Sequence, residues 1–434
     1  MNTGPARGMR DFLPEDVRRR QYVIGVIADV YQKYGFEPLE TPAVENLETL
    51  QGKYGEEGDR LIFKILKRGE GAETGQADLA LRYDLTVPLA RVVAEYRATL
   101  PKFFKRYQVQ PVWRADRPQK GRFREFYQCD VDAIGSTSMT VEADLLSAAA
   151  DVFVRLGFKD FSIVVNHRKL LNAVLEHAAI ATELQGAALV AMDKVDKIGI
   201  DGVKKEFAEK GLPPASADQL AAVLGGANAA TLGDLSGLLN DDGKSAVRDL
   251  QELFSLAQHT SAGPHLVLDG YLARGLSYYT GPIFEIRVPD LAGSLGGGGR
   301  YDNLIGMFSG ENIPASGISL GLERILVVMG ERKMFPESVV STPADVMVAM
   351  RDDVPAGELL TFAAGLRAGG IRVEVYPDAA KLDKQFKYAA SRNIPFVAVI
   401  GGDELANGTV ALKNMNTREQ TSVARAEAVK WLSS

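Results

Sequence analysis

From Glu15 the apolar residues Val17, Tyr22, Val23, Val26, Ile27, Val30 and Tyr31 recur at helical spacing until Gly35, which predicts an amphipathic helix. Residues 37 to 45 then read as a strand, but Pro38 and Pro42 interrupt it and assign it to an edge or an interface. Residues 62 to 66 and 79 to 83 predict short strands. Residues 86 to 95 start a helix with Pro88 in its first turn. Further on, residues 143 to 156 are amphipathic and helical, and 161 to 165 form a short strand. His167 falls at that strand's end, as a structural residue.

Between these elements lies a different pattern. Phe103, Phe104, Tyr107, Val109, Val112 and Trp113 have the aromatic and β-branched character of a strand, and Phe123, Phe126, Tyr127, Val131 and Ile134 repeat it. The loop between concentrates Arg114, Arg117, Lys120, Arg122 and Arg124, whereas Asp116, Glu125, Asp130 and Asp132 keep the outgoing strand acidic. Such a hairpin suits a phosphate on one side and an ammonium group on the other. Cys129, alternating away from Gln128, reads as a packed small residue.

From Arg168 to about Gln258 the texture becomes Ala/Leu/Lys-rich and helical, as expected of a helical insertion. Strands resume at 266 to 268, 277 to 279 and 283 to 288, and the glycine run 296 to 299 precedes Arg300, Tyr301 and Asp302. Many short strands with hairpin-length connections indicate an α+β fold with a mainly antiparallel sheet flanked by helices. The glycine run lacks the Gly-Lys-Ser/Thr ending of a P-loop, and no dinucleotide fingerprint appears, so both common nucleotide folds are disfavoured. A boundary falls near residues 337 to 343. Beyond it, strands at 346–350, 372–376, 396–400 and 409–413 alternate with helices at 359–368 and 381–391, which predicts a separate α/β domain with parallel pairing over 343–434. The first domain then covers 1–336, with the insertion at 168–258.

Composition narrows the class. With 434 residues and 46% hydrophobic positions, each domain can have its own core. No apolar run approaches a membrane span, and Arg7, Arg10, Asp11, Glu15 and Asp16 punctuate the N-terminus, so no signal peptide, anchor or membrane partner is expected. A single cysteine and four histidines fit a reducing cytoplasm and make a protein-held metal site an unfavoured expectation. The net charge of −6 argues against general coating of nucleic acid and against DNA as a partner, while leaving room for a local RNA-binding groove.

The hairpin, the segment Arg274-Gly-Leu-Ser-Tyr-Tyr-Thr-Gly281 and the segment Gly317-Ile-Ser-Leu-Gly-Leu-Glu-Arg324 together resemble class II aminoacyl-tRNA synthetases, and specifically the histidyl-tRNA synthetase family. The resemblance begins at Ala6-Arg-Gly-Met-Arg-Asp-Phe-Leu-Pro14 and runs into the C-terminal domain. It implies a class II catalytic domain followed by an α/β anticodon-binding domain. It also implies a histidine-tRNA ligase, which makes histidyl-adenylate from L-histidine and ATP, with Mg2+ accompanying the ATP, and then esterifies its cognate tRNA. A homodimer is implied as well, since the strand containing Pro42 sits where the family's first motif, a dimer element, should be.

Residue by residue, the family pattern makes Arg114, Arg274 and Arg324 the catalytic cations. Amino-acid activation accumulates charge on phosphate oxygens, and preplaced cations answer it. Arg114 would hold the α-phosphate and the substrate carboxylate, and Arg324 the outer phosphates; Asp116, Arg122 and Glu323 are further ATP contacts. Histidine would be held by Asp84, Leu85, Thr86 and Gln128 at the α-amino end, with Arg114 and Arg274 beside them, and by Asp132, Tyr278, Tyr279 and Tyr301 around the ring. Gln128 and Asp132 lie an even number apart on one predicted strand and share a face. Lys381, Lys384 and Lys387 give the C-terminal domain a basic face for tRNA phosphate.

The chain departs from the family's usual pattern at Ser277, where Asp is typical, at Asp116, where many relatives have Glu, and at Asp84, which replaces the Glu of common bacterial forms. A rival reading is a non-catalytic paralogue that senses histidine or regulates its biosynthesis. Such paralogues typically lack the anticodon domain or the catalytic cations, all of which are present here. A synthetase for proline, glycine or threonine is the third option, against which the Tyr278-Tyr279 pair argues.

Overall fold

The computed structural model describes residues 3–119, 121–192, 194–224, 231–273, 278–340 and 343–433. The chain divides into two compact units, 1–334 and 335–434.

In the first unit, helix α1 (Pro14–Lys33) buries Arg20, Val23, Ile27, Val30 and Tyr31 on one face, with Pro14 in its first turn and Glu15 and Asp16 complementing the positive end of its dipole. The segment that reads as one strand from 37 to 45 is two: β1 (Glu37–Pro38) joins the main sheet and β2 (Val44–Asn46) leaves for another. Pro38, the last residue of β1, and Pro42 between the two strands cannot donate to a ladder, so the chain changes sheets there. β2 pairs with β4 (Ala77–Leu81), which also pairs with β3 (Lys64–Leu66), in a small antiparallel sheet. Helix α2 (Thr86–Glu95) follows, then the long strands β5 (Phe104–Trp113) and β6 (Glu125–Ile134), and helix α3 (Thr140–Arg155).

β7 (Ser162–His167) leads into a helical region whose described segments run from Arg168–His177 to Asp241–Ala257. His167 ends β7 buried, its Nε2 3.3 Å from Asp249. β8 (Leu266–Leu268), β9 (Pro282–Arg287), β10 (Gly296–Arg300) and β11 (Ala315–Gly321) complete the sheet, and helix α4 (Leu322–Glu331) starts directly from β11. The eight strands run in the order β1-β5-β6-β11-β10-β9-β7-β8, antiparallel except for parallel edge pairs at each end. The strand expected at 277–279 is not formed by Tyr278 and Tyr279, and Ser277 lies outside the described residues.

β6 is central. Cys129 and Val131 are fully buried and Ala133 nearly so on one of its faces, and α1, α3 and α4 all pack against the strand. The other face carries Gln128, Asp130 and Asp132. The glycine run is no flexible turn but the strand β10. A Cβ on Gly298 would stand 1.9 Å from the Gly317 carbonyl oxygen, and one on Gly317 1.9 Å from Asp132 Oδ1, so the close approach of β10, β11 and β6 excludes side chains at both positions.

The second unit orders its strands β13 (Val373–Val375), β12 (Val346–Val348), β14 (Phe396–Val399), β15 (Thr409–Asn414) and β16 (Gln420–Ala424). Only β13-β12-β14 is parallel; β15 and β16 are antiparallel, which corrects the expectation of parallel pairing throughout. Val346 and Val348 pack with Leu359 and Phe362 of helix α5 (Ala356–Ala368), and Met347 and Ala349 face the opposite layer, where Ala389 of helix α6 (Leu382–Ser391) packs.

Candidate active site

A cavity of about 350 Å3 opens over the centre of the large sheet. It is lined by residues that sequence reasoning selects, namely Asp84, Thr86, Arg114, Asp116, Arg122, Gln128, Asp132, Tyr278, Tyr279, Tyr301, Glu323 and Arg324. Leu85 is different: its side chain is fully buried in the core, and what it offers is a carbonyl, 3.4 Å from Arg106 Nη2. Arg274 lies outside the described residues, as does Lys120 of the hairpin. Lys381, Lys384 and Lys387 belong to the second unit, all exposed, at the start of and along α6.

The basic end is built by the hairpin and by the β11–α4 turn. Arg114 follows β5 directly. Its Nε donates to the Tyr83 carbonyl at 3.0 Å, and its guanidinium lies 4.3 Å from the Tyr83 ring and 5.2 Å from Phe126, a stacked seat that fixes the plane of the fork. The loop closes through backbone bonds between Gln119 and Arg122, with Gly121 at φ +72. Arg122 pairs with Asp116 at 2.8 Å. The N-terminal segment braces the loop from behind, Arg124 N donating to the Gly8 carbonyl at 2.8 Å and Arg10 lying 3.4 Å from the Phe123 ring. Arg324 donates to the Ser294 carbonyl at 2.6 Å.

Glu323 faces both ways. It lines the cavity, yet its Oε1 accepts from Arg20 Nη1 at 2.9 Å and its Oε2 from the Tyr127 backbone N–H at 3.0 Å. Arg20 is itself packed between the Phe12 and Tyr127 rings, at 4.1 and 4.7 Å. This buried pair ties the first turn of α4, and with it Arg324, to α1 and β6. Substituting Arg20 by Lys keeps the charge but loses the stacked fork, and is expected to lower stability by about 1 kcal/mol, read from urea denaturation midpoints.

The acidic end is deeper. Asp84 Oδ1 accepts from the Tyr54 hydroxyl at 2.9 Å and from the Val87 N–H at 3.1 Å, and burial raises its pKa despite both bonds. Gln128 Nε2 donates to Ser319 Oγ at 2.9 Å, while its Oε1 is buried and accepts no hydrogen bond among the described residues. Asp132 Oδ1 accepts from the Tyr301 hydroxyl, and Arg106 Nη2 stands 2.9 Å from Oδ2. Burial raises the Asp132 pKa, with Arg106 opposing. The rings of Tyr278 and Tyr279 are 4.9 Å apart, and Tyr278 meets Tyr301 edge-on at 6.1 Å. Cys129 points away from the cavity, and burial pushes its thiol pKa well up.

Sequence reasoning missed Asp130, Ser319, Arg106 and Tyr54 at this end. The signal for Asp130 was available, since it alternates with Gln128 and Asp132. Arg106 and Ser319 become visible only through register, Arg106 standing opposite Asp132 and Ser319 opposite Asp130.

An antiparallel sheet that carries a cationic hairpin, a glycine strand and a strand-to-helix Glu-Arg turn around one cavity is the class II aminoacyl-tRNA synthetase fold. A solved structure of histidyl-tRNA synthetase from Nostoc sp. PCC 7120 superposes with a TM-score of 0.86 at 30% identity, covering 100% of this chain and 99% of that one. The family model for histidyl-tRNA synthetase matches residues 8–325 and that for the anticodon binding domain matches 346–434, so the chain belongs to the histidyl-tRNA synthetase family. Among its relatives, the histidine–tRNA ligase of Bacteroides fragilis is 43% identical with 98% of each chain covered, and that of Flavobacterium johnsoniae 43% identical with 96% covered.

Proposed function

We propose that the protein is a histidine–tRNA ligase: ATP and L-histidine give histidyl-adenylate and pyrophosphate, and the histidyl group then passes to a ribose hydroxyl of its tRNA. The observation that carries this reading is the division of one cavity into a cationic end, with Arg114, Arg122 and Arg324, and a carboxylate-rich end, with Asp84, Asp130 and Asp132. A phosphate chain and an amino acid meet where the two ends join, at Arg114.

In the first step a histidine carboxylate oxygen attacks the α-phosphorus and pyrophosphate leaves. Arg114 binds the α-phosphate and the attacking carboxylate, which brings two anions together and offsets the charge that grows on the phosphate oxygens. Arg324 takes the outer phosphates. Arg274, by its place in the family's motif, is the additional cation. The ammonium group meets Asp84, Thr86 and the buried Gln128 Oε1, which accepts no hydrogen bond among the described residues, and the ring lies among Asp132, Tyr278, Tyr279 and Tyr301. Mg2+ enters with ATP as part of the substrate; among the described residues no acidic or histidine cluster forms a cage for it.

The protein acts as a homodimer in the cytoplasm. The edge position of β1 in the main sheet supports the first point, and the single, buried cysteine supports the second. No described helix is long and apolar enough to cross a membrane. The Lys381, Lys384 and Lys387 face binds the anticodon arm of the tRNA. The test is ATP–pyrophosphate exchange with each proteinogenic amino acid in turn, without tRNA. Exchange with histidine alone is expected; histidine binding without exchange would overturn the catalytic reading.

A further inference from the structure

Tyr54 stands one layer behind the cavity, on the connection between β2 and β3, at the head of the short helix Gly55–Arg60. It is buried, and it reaches two groups of the site from there. Its hydroxyl donates to Asp84 Oδ1 at 2.9 Å, and its ring packs on the Tyr83 ring with 4.4 Å between centroids. The Tyr83 ring is in turn the seat of the Arg114 guanidinium, 4.3 Å away. The local chain is built to keep Tyr54 in this place. Asp59 Oδ2 accepts from the Gly52 N–H at 2.8 Å and closes the segment on itself, and the Ala115 N–H donates to the Leu61 carbonyl at 2.9 Å, fastening it to the residue after Arg114. Gly58 lies directly against Tyr54: a Cβ there would stand 2.4 Å from the tyrosine's Cβ, so a side chain at 58 would displace it.

The bonds to Asp84 are unevenly shared. Both donors, the Tyr54 hydroxyl and the Val87 N–H at 3.1 Å, meet Oδ1, and among the described residues none meets Oδ2, although Asp84 lines the cavity. One carboxylate oxygen is thus anchored and the other is open to a ligand. The Val87 N–H comes from the residue three places on and holds the carboxylate from its own chain; the hydroxyl holds it from the opposite side, 30 residues away in sequence. We infer that Tyr54 is a positioning residue for the amino-acid substrate: its hydroxyl orients Asp84 so that the open oxygen meets the α-ammonium group, which sets the site's requirement for that group. This rests on the reading of the cavity as a histidine site.

The chemistry of the two groups fits this role. Burial favours the neutral form of Asp84, and the Tyr54 hydroxyl, with the Val87 N–H and Arg114, opposes it and helps to keep the carboxylate that an ammonium group needs. Burial also lifts the pKa of Tyr54 well above that of a free phenol, so it keeps its proton to donate. The ammonium group takes no part in the bonds made and broken. Its contact is held alike in the ground and transition states, and losing the hydroxyl falls on binding rather than on kcat. Phenylalanine at this position keeps the ring, and with it the support of Tyr83 and Arg114, so Tyr54→Phe isolates the hydroxyl.

The test compares the wild type with Tyr54→Phe as full chains, using L-histidine and desaminohistidine, which has the ring and the carboxylate but no ammonium group. Tyr54→Phe is expected to raise the Kd for histidine, by calorimetry without ATP, about tenfold or more, the loss of one hydrogen bond to a charged group. The Ki of desaminohistidine against ATP–pyrophosphate exchange, and kcat at saturating histidine, should each stay within about twofold. Gly58→Ala, which keeps the hydroxyl but displaces it, is the second variant should Tyr54→Phe fail to fold, and its loss for histidine should exceed its loss for desaminohistidine. An unchanged Kd for histidine, equal losses for the two ligands, or a loss confined to kcat overturns the inference and leaves the ligase reading intact. Histidine binding without exchange in the wild type overturns the ligase reading, and the Kd values for the two ligands then decide the role of Tyr54 by themselves. Failure of the wild type to bind histidine at all overturns both.

Discussion

Arg114→Ala is expected to depress ATP–pyrophosphate exchange by roughly 10²- to 10³-fold, about 3–4 kcal/mol of transition-state stabilisation, with little change in the denaturation midpoint. Its side chain is positioned rather than structural. Among the described residues its guanidinium makes one hydrogen bond, from Nε to the Tyr83 carbonyl, and the Tyr83 and Phe126 rings hold its plane. That leaves the fork for two oxygens at once, one on the phosphate and one on the carboxylate. Arg114→Lys should recover little, because an ammonium group is a point charge that neither stacks over Tyr83 nor bridges two acceptors in a fixed plane. Exchange kinetics at saturating histidine and ATP decide the matter. A variant that raised KM for ATP alone and kept kcat would show Arg114 to be a binding group and no more.

Arg106→Met should be the most destabilising single change in the site, by roughly 3–5 kcal/mol, since it leaves Asp130 and Asp132 buried without their shared cation. The loss has a predictable pH dependence. In the wild type both carboxyls already have raised pKa values, Asp130 about 7, against an unfolded value of about 3.9. A carboxyl with a raised folded pKa stabilises the native state while protonated. That contribution is complete below the unfolded value and is lost as pH rises through the folded one. Removing Arg106 raises both folded values further, so the variant's deficit should be smallest near pH 4 and grow through neutral pH. Urea denaturation at acidic and alkaline pH measures it, and a deficit independent of pH would mean that Arg106 contributes packing rather than charge.

The legibility of this chain in sequence follows from where each signal resides. Helix α1 and the β5–β6 hairpin are local patterns, one a 3.6-residue period and the other paired aromatic runs around a cationic loop, and both could be read without tertiary information. The split of residues 37 to 45 between two sheets could not, because prolines announce an interruption but not its destination. The antiparallel β15 and β16 were obscured for a related reason: alternating strands and helices suggest crossovers, and the second strand of the final hairpin, β16, is short and mostly exposed and so carries little apolar signal. In the cavity, side chains carried by recognisable motifs stand out, Arg114, Gln128, Tyr278 and Arg324 among them. Arg106 and Ser319 do not, since each acquires its meaning from the residue opposite in a neighbouring strand. Arg20 offered a signal that hydropathy discards, a charged residue on the buried face of an amphipathic helix.

The glycine strand β10 has a kinetic consequence. Four of its five residues lack side chains, so ordering it costs more chain entropy than ordering an average strand and brings no apolar contact in return. Among the described residues its glycines are held by the backbone ladders to β9 and β11, whose strands must already be in place, and Arg300 anchors its end through the buried pair with Glu142. The glycines of β10 are therefore expected to be among the last positions of the larger unit to be fixed, with φ-values near zero at the residues flanking them in β9 and β11. Because β10 also forms one wall of the cavity, a nearly folded chain can carry Arg114 and Gln128 in position and still have no enclosed site, and binding competence arrives with the final step of folding.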